Sequence, residues 1–284
     1  MSTDTLTAPA ELREIHGPSA IAGGWRRFLH LTVLIGVTEF RLSYFGSALG
    51  YLWSLMRPFL GFAVLLIVFT QIFHAGAGVP HYPVMLLLGV VLFNFFAEAT
   101  GNSVPSVTNR EALVRKMQFP RLVIPLSVVF TAAMNLVVNL IPVIVFALAS
   151  GVPVRATWLL TPVLLVMLIA FASGVAMILS SLYVRFRDVS PIWQVLQQVI
   201  FYGSMVIYTI DRVPGRWERL ILANPLASII QLSRAWLVDP AQGTPAQAGG
   251  GAIWGLIPLV IGIAVVVLGV WVFNHEAPRI AERL

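Results

Sequence analysis

Long apolar runs separated by short polar stretches dominate the chain after residue 50. A helix that crosses the hydrocarbon core of a bilayer needs about 20 predominantly apolar residues. Six segments meet that length: Gly50–Phe73, Pro83–Ser103, Leu122–Ala149, Trp158–Val184, Ile192–Ile210 and Ile253–Phe273. The pattern therefore predicts an all-α integral membrane protein with six transmembrane helices, which together form the domain over residues 46–284.

The N-terminal part of the chain follows a different pattern. Residues 1–24 are polar and contain Pro and Gly, and we expect a loosely ordered cytoplasmic tail there. Residues 25–45 carry apolar positions at roughly helical spacing, but their longest apolar run, Leu31–Val37, is closed by Glu39 and Arg41. An amphipathic helix lying in the membrane interface fits this pattern better than the start of a longer first span.

The stretch from Val213 to Val238 is moderately apolar but is interrupted by charged side chains and by the pair Asn224-Pro225. Neither half is long enough to cross a bilayer. One interpretation is a pair of re-entrant helices (about 213–238) that enter the outer leaflet and return, which requires their backbone to be buried in protein. A surface helical hairpin is the alternative. Residues 239–251 are expected to form a flexible outer loop.

The positions of Lys and Arg predict how these segments are oriented. With the N-terminus inside, the cytoplasmic segments hold twelve of these residues: Arg13, Arg26, Arg27, Arg41, Arg110, Arg115, Lys116, Arg121, Arg185, Arg187, Arg279 and Arg283. The outer loops hold five: Arg155, Arg212, Arg216, Arg219 and Arg234. Because cytoplasmic loops are enriched in Lys and Arg, we expect both termini in the cytoplasm.

The composition supports a membrane protein. Hydrophobic residues make up 58% of the chain and charged residues 11%, whereas a soluble domain carries about 25% charged residues. The net charge of +6 is explained by topology and by anionic lipid rather than by nucleic acid.

The sequence offers no group of residues typical of catalysis. It has no cysteine, no histidines at metal-ligand spacing and no G-x-x-x-x-G-K-[ST] phosphate loop, so ATP-driven work would need a nucleotide site on another chain. The acidic residues Glu39, Glu98, Glu111 and Asp188 are scattered, which argues against a membrane-embedded glycolipid transferase. We find neither the midplane ionisable residues nor the internal repeat expected of an ion-coupled transporter.

Two groups of charged residues carry a functional hypothesis. The inner loop over about 106–119 has a helical pattern and is predicted to dock on a partner protein, and an ordinary positively charged loop is the alternative. Arg57 and Glu98 lie about 24 and 21 Å from the outer ends of their helices at 1.5 Å per residue, so they can form an intramembrane ion pair. In the alternative, Arg57 extends to the inner surface and Glu98 faces an aqueous opening.

Three motifs give the chain a family resemblance. They are Arg41…Tyr44-x-Gly46-Ser47-x-Leu49-Gly50-x-Leu52-Trp53…Pro58, then Asn109…Leu113-Val114-Arg115-Lys116…Phe119-Pro120, then Asn224-Pro225-Leu226. In order and spacing they resemble the type-2 ABC exporter permeases, and most closely the subfamily that exports polysaccharides such as O-antigen, teichoic acid, capsule and actinobacterial galactan. The resemblance covers almost the whole chain after residue 25, and the arginine-rich composition favours a galactan exporter within the subfamily.

The resemblance implies a function and an assembly. It implies the permease subunit of an ATP-driven exporter that moves a lipid-linked polysaccharide across the inner membrane of a bacterium, and the same fold exporting a drug or small lipid is the alternative. The permease would be a homodimer in membrane lipid, without a cofactor or catalytic residue of its own and without nucleic acid. Two copies of a cytoplasmic ABC ATPase would bind ATP and Mg.

The resemblance also implies site residues. The ATPase-coupling helix would include Asn109, Arg110, Glu111, Leu113, Val114, Arg115, Lys116 and Phe119. The first and fifth spans line the channel in the family, so the expected substrate path includes Tyr51, Trp53, Phe59, Phe62, Phe201, Tyr202 and Tyr208. The expected re-entrant gate contains Asn224 and Pro225.

Overall fold

The computed structural model describes residues 24–44, 50–74, 76–111 and 120–283, without the side chains of residues 44, 50–55, 57–58 and 277–283. Over these residues the regular structure is helical, which confirms the predicted all-α class. The helices are α1 (Trp25–Tyr44), α2 (Gly50–Ile67), α3 (Tyr82–Ser103), α4 (Ser106–Asn109), α5 (Val123–Ala149), α6 (Thr161–Arg185), α7 (Val189–Gly203), α8 (Gly215–Ala223), α9 (Pro225–Leu237), α10 (Pro245–Ala248) and α11 (Ile253–Arg283).

Four segments of the described chain are long and apolar enough to cross a membrane. They are Tyr82–Ser103, Val123–Ala149, Ala156–Arg185 and Ile253–Glu276. They correspond to the second, third, fourth and sixth predicted spans. The segment of the first predicted span is helical from Gly50 to Ile72, because one turn of π-helix continues α2.

The fifth predicted span differs from the structure. A continuous helix was expected over Ile192–Ile210, but α7 ends at Gly203 after 15 residues. At 1.5 Å per residue it is about 22 Å long, shorter than a hydrocarbon core of about 30 Å. Met205 then adopts a left-handed backbone conformation with a φ of 56°, and residues 204–209 are not helical.

α3 lies at the centre of the fold and α11 at its periphery. The apolar stretch of α3 is 78% buried, whereas that of α11 is 17% buried. Phe96 of α3 stacks on Phe171 of α6 with ring centroids 5.5 Å apart. Trp193 of α7 donates from Nε1 to Thr100 Oγ1 at 3.1 Å, which fixes α7 against α3. The buried aromatic and polar contacts of α3 therefore determine where α6 and α7 lie.

α6 and α11 cross at two glycines. A Cβ atom placed on Gly269 would lie 2.5 Å from the carbonyl oxygen of Gly174, so the two backbones are in direct contact. Small residues allow this close approach, and in lipid such packing is a main source of helix association.

α1 lies along α5. Phe28 and Thr32 are buried, and Thr131 of α5 donates from its hydroxyl to the carbonyl of Gly36 at 3.1 Å. The opposite face of α1 exposes large apolar side chains such as Leu34 and Leu42. This helix has one buried and one exposed apolar face, and its range, Trp25–Tyr44, nearly equals the predicted 25–45. Its position in the membrane interface stays a prediction.

The pair α8 and α9 meets at an angle of 101° at Asn224. Residues 239–251 after α9 form a packed loop rather than the flexible loop expected. Gln231 donates from Nε2 to the carbonyl of Gln242 at 2.6 Å, and Thr244 and Gln247 form a capping box at the start of α10. These hydrogen bonds hold residues 239–251 against α9, so the segment does not have the mobility of a linker.

Candidate functional site

A polar cavity of about 600 Å³ lies between α1, α3, α4 and α5, and we call it the inner polar cavity. Nine of its eleven lining residues carry carboxylate, amide, hydroxyl or guanidinium groups: Glu39, Ser43, Glu98, Asn102, Ser106, Asn109, Arg110, Thr131 and Asn135. A cavity with this lining has room and hydrogen-bonding groups for water or a polar ligand, and it lies at the end of the bundle that carries the loop after α3.

Arg110 connects that loop to two long helices. Its guanidinium forms an ion pair with Glu39 of α1, and its Nη1 donates to Ser127 Oγ of α5 at 3.2 Å. Burial lowers the pKa of Arg110, but an arginine remains a cation in proteins. A partly buried charge that loses its partner is costly. A movement of the loop that kept these contacts would therefore displace α1 and α5 as well.

Glu98 of α3 is held by an amide of α5. Asn135 donates from Nδ2 to Glu98 Oε1 at 2.6 Å, and Asn139 donates from Nδ2 to the carbonyl of Asn135 at 2.9 Å. Hydrogen bonds to a carboxylate are stronger than neutral ones, so this contact fixes the carboxylate at the wall of the inner polar cavity.

At the opposite end of the bundle, Arg234 of α9 is almost completely buried, with 1% of its surface exposed. Its Nη1 and Nη2 donate to the carbonyls of Tyr208 and Val206 at 2.8 and 2.9 Å. Between them, Tyr82 of α3 donates from its hydroxyl to the carbonyl of Ile207 at 2.6 Å. We call these five residues the outer anchor.

The outer anchor explains why α7 stops at Gly203. Buried carbonyls need hydrogen-bond donors, and outside a helix those donors must be supplied by side chains. Arg234 and Tyr82 supply them for three successive residues. The non-helical segment after α7 is therefore stabilised by contacts from α9 and α3.

Asn224 links the same segment to the bend between α8 and α9. Its Oδ1 accepts from the backbone N–H of Leu226 at 3.0 Å, which caps α9, and its Nδ2 donates to Ser204 Oγ at 3.0 Å. Pro225, at the first position of α9, is buried and favours the helix start. The two predicted gate residues therefore lie at the bend, and Asn224 also contacts Ser204, the residue that follows α7.

Comparison with known proteins gives the family. Residues 30–238, more than half of the chain, match the family model described as ABC-2 type transporter. The chain belongs to the ABC-2 type transporter family. This membership confirms the resemblance drawn from the three motifs.

Alignments with three polysaccharide export proteins cover 68–89% of the chain. It is 28% identical over 257 residues to the O-antigen export system permease protein RfbA of Klebsiella pneumoniae, with 89% of this chain and 95% of the relative covered. It is 30% identical over 196 residues to RfbA of Myxococcus xanthus, with 68% and 74% covered. It is 25% identical over 234 residues to the polysialic acid transport protein KpsM of Escherichia coli, with 80% and 88% covered.

The structure describes three of the ABC-2 family coupling residues predicted for this chain: Asn109, Arg110 and Glu111. The others, Leu113, Val114, Arg115, Lys116 and Phe119, lie outside the described residues. α4 ends at Asn109 and the backbone turns at Arg110, with φ of −116° and ψ of 30°. The single helix predicted over about 106–119 is therefore interrupted at Arg110. The side chain of Arg110 forms the ion pair with Glu39 and the hydrogen bond to Ser127 described above.

The predicted aromatic path is not gathered on one surface of the described chain. Phe62 is buried against Phe146 of α5, with ring centroids 6.0 Å apart, and Phe201 packs edge-on against Phe93 at 4.9 Å. Tyr202 has 63% of its surface exposed. The remaining members are placed differently: Phe59 is half-buried, the Tyr208 hydroxyl donates to the Tyr202 carbonyl, and the side chains of Tyr51 and Trp53 lie outside the description.

The proposed ion pair between Arg57 and Glu98 stays a prediction, because the Arg57 side chain lies outside the description. Sequence reasoning missed the partners of Glu39 and Arg234. An arginine in a short apolar helix was the available signal for Arg234, since a charge at that depth needs an internal partner. Nothing local in the sequence identifies carbonyls as that partner.

Proposed function

We propose that this chain is the permease subunit of an ATP-driven exporter that moves a lipid-linked polysaccharide across the cytoplasmic membrane of a bacterium. The substrate class is supported by the O-antigen and polysialic acid permeases that match most of the chain. The permease itself performs no bond chemistry. ATP and Mg bind to a separate cytoplasmic ATPase.

The observation that carries this proposal is the ion pair between Arg110 and Glu39. It joins the loop expected to touch the ATPase to α1, and the Ser127 hydrogen bond joins the same side chain to α5. A displacement of the loop by the ATPase therefore reaches two long helices through one guanidinium group.

The proposed topology has six spans with both termini in the cytoplasm. α7 with the anchored segment 204–210 forms the fifth span, and α8 with α9 returns to the outer surface as a re-entrant pair. This arrangement keeps twelve of the Lys and Arg residues inside and five outside. The outer anchor supports it, because non-helical backbone at membrane depth must find its hydrogen-bond donors inside the protein.

The proposed assembly is a homodimer with two ATPase subunits. ATP-driven closure of the ATPases pushes the inner loop, α1 and α5 follow through Arg110, and the interface between the two protomers opens. The sugar chain then passes between the protomers while the lipid reorients. The inner polar cavity offers hydroxyl and amide groups at the side from which the sugar enters.

Depletion of the chain in its host tests this function. We expect the lipid-linked polysaccharide to accumulate on the cytoplasmic face of the membrane while the surface polymer declines, measured by extraction and glycan analysis of inside-out and right-side-out vesicles. Restoration by the wild-type gene is the control. An unchanged surface polymer, with no accumulated precursor, contradicts the proposal.

A further inference from the structure

An apolar groove of about 390 Å³ lies between α6 and α11 on the side of their glycine crossing that is nearer the outer anchor. Val166 and Ala170 of α6 form one wall, Leu259 and Gly262 of α11 form the other, and Ile229 of α9 belongs to its roof. We call it the outer groove. The direct contact between Gly174 and Gly269 closes its inner end, because the two backbones leave no space there.

The groove opens to the surroundings of the molecule. Val166 has 66% of its surface exposed and Val267 has 62%. Apolar cavities of about 150 Å³ already exclude water and accept apolar ligands, and ligand pockets are typically about 300–1,000 Å³. A cavity of this size and lining that opens on the apolar side of a membrane protein takes a hydrocarbon chain.

The length of the groove matches one leaflet. Along α11 its lining runs from Gly255 to Val267, about 18 Å at 1.5 Å per residue. Half of a bilayer core is about 15 Å thick. A single extended acyl chain therefore fits the groove from the membrane surface to the midplane.

A cation lies beyond the surface end of the groove, over the ring of the residue that precedes its lining on α11. The guanidinium of Arg219, on α8, lies 5.6 Å from the ring centroid of Trp254, the residue before Gly255. Tryptophan favours the interface between lipid and water, and arginine binds phosphate oxygens through its planar donors. The charge of Arg219 complements a phosphate whose acyl chain enters the groove.

We propose that the outer groove binds one phospholipid of the outer leaflet, with an acyl chain between α6 and α11 and the phosphate beside Arg219. The bound chain fills the space beneath α9 and so supports the re-entrant pair from the lipid side. This inference rests on the proposed topology, in which α6 and α11 span the membrane and the groove faces the outer leaflet, and it does not depend on the exported substrate.

Filling the groove tests the proposal. A Cβ atom on Gly262 would have its nearest neighbour, Pro225 Cβ, at 4.0 Å, so a side chain can enter the groove without a backbone clash. Gly262→Phe fills it from α11, and Ala170→Phe fills it from α6. Val260→Phe is the matched control, because Val260 lies on the same helix outside the groove lining and 62% of its surface is exposed.

Native mass spectrometry of the purified full-length protein, after exchange from phosphatidylglycerol nanodiscs into mild detergent, counts the retained lipids. We expect one tightly held phospholipid per chain in the wild type and in Val260→Phe, and its loss in both filled variants. Monodisperse elution and an unchanged unfolding temperature show that the filled variants are folded.

The headgroup is tested with two lipids that share their acyl chains. Dioleoylphosphatidylglycerol should be retained about two- to fivefold better than dioleoylglycerol, and Arg219→Gln should remove that preference. The proposal is overturned if the wild type retains no phospholipid, if both filled variants retain it, or if Arg219→Gln leaves the preference unchanged. A polyprenyl lipid in the groove, or a disulfide between two chains through Gly262→Cys, also overturns it.

Discussion

Replacing Arg234 by methionine tests whether the outer anchor holds the segment after α7. Methionine keeps most of the apolar stem but cannot donate to the carbonyls of Val206 and Tyr208, which Arg234 now satisfies at 2.9 and 2.8 Å. Val206 is fully buried and Tyr208 is half-buried against the core. The change therefore leaves two acceptors without their donors while Tyr82 still holds the carbonyl of Ile207.

The expected cost follows from the two lost hydrogen bonds. An unsatisfied buried acceptor costs about 1–3 kcal/mol, so the pair costs about 2–6 kcal/mol. Removing a buried charge returns part of its desolvation cost, and we therefore expect the lower half of that range, about 2–4 kcal/mol. Arg234→Lys should lie between methionine and wild type, because an ammonium group cannot reproduce the planar fork of two donors.

The assay uses the absence of cysteine from the sequence. A single Ile207→Cys substitution places a thiol at a position with 3% of its surface exposed. In purified protein this thiol should react slowly with a polar maleimide. A loss of about 2 kcal/mol in local stability raises the open population about 30-fold, and the labelling rate should rise by that factor in Arg234→Met.

Arg216→Met provides the control, because Arg216 lies on the exposed side of α8 and its loss should change labelling little. The unfolding temperature of Arg234→Met should also fall relative to this control. If Arg234→Met labels at the wild-type rate and unfolds at the wild-type temperature, the outer anchor does not stabilise the segment, and our explanation for the end of α7 is wrong.

Three further predictions concern the rest of the fold. Glu39→Gln and Arg110→Gln should each uncouple ATP turnover from polymer export in the assembled transporter. The exchange of the two charges, Glu39→Arg with Arg110→Glu, should restore part of the coupling. Equal defects in the single and exchanged variants would refute the link. Gly269→Val should destabilise the protein by at least about 1–3 kcal/mol, because its Cβ would lie 2.5 Å from a carbonyl oxygen. Gly61→Val is the control and should not destabilise it, because Gly61 has open space around it. Phe62→Ala should destabilise the protomer by about 3–5 kcal/mol, and a stable Phe62→Ala protein that fails to export would instead place Phe62 in the substrate path.

Sequence patterns determined the class and the order of the long elements. Apolar length along the chain predicted the segments of α3, α5, α6 and α11, because a span is encoded by consecutive residues. The change of pattern near Asn224 predicted a break there, since an Asn-Pro pair caps one helix and prevents the preceding one from continuing. The family also followed from local motifs.

Only the tertiary structure decided which residues meet. Glu39 and Arg110 are 71 positions apart in the numbering and Glu98 and Asn135 are 37 apart, so no local period indicates either contact. The end of α7 at Gly203 could not be predicted either, because residues 204–209 are apolar enough to continue a helix. Hydrogen bonds from Arg234 and Tyr82, which are distant in sequence, stabilise the non-helical backbone there. Hydrophobicity is a property of a segment, whereas a hydrogen-bond partner is a property of the packed whole.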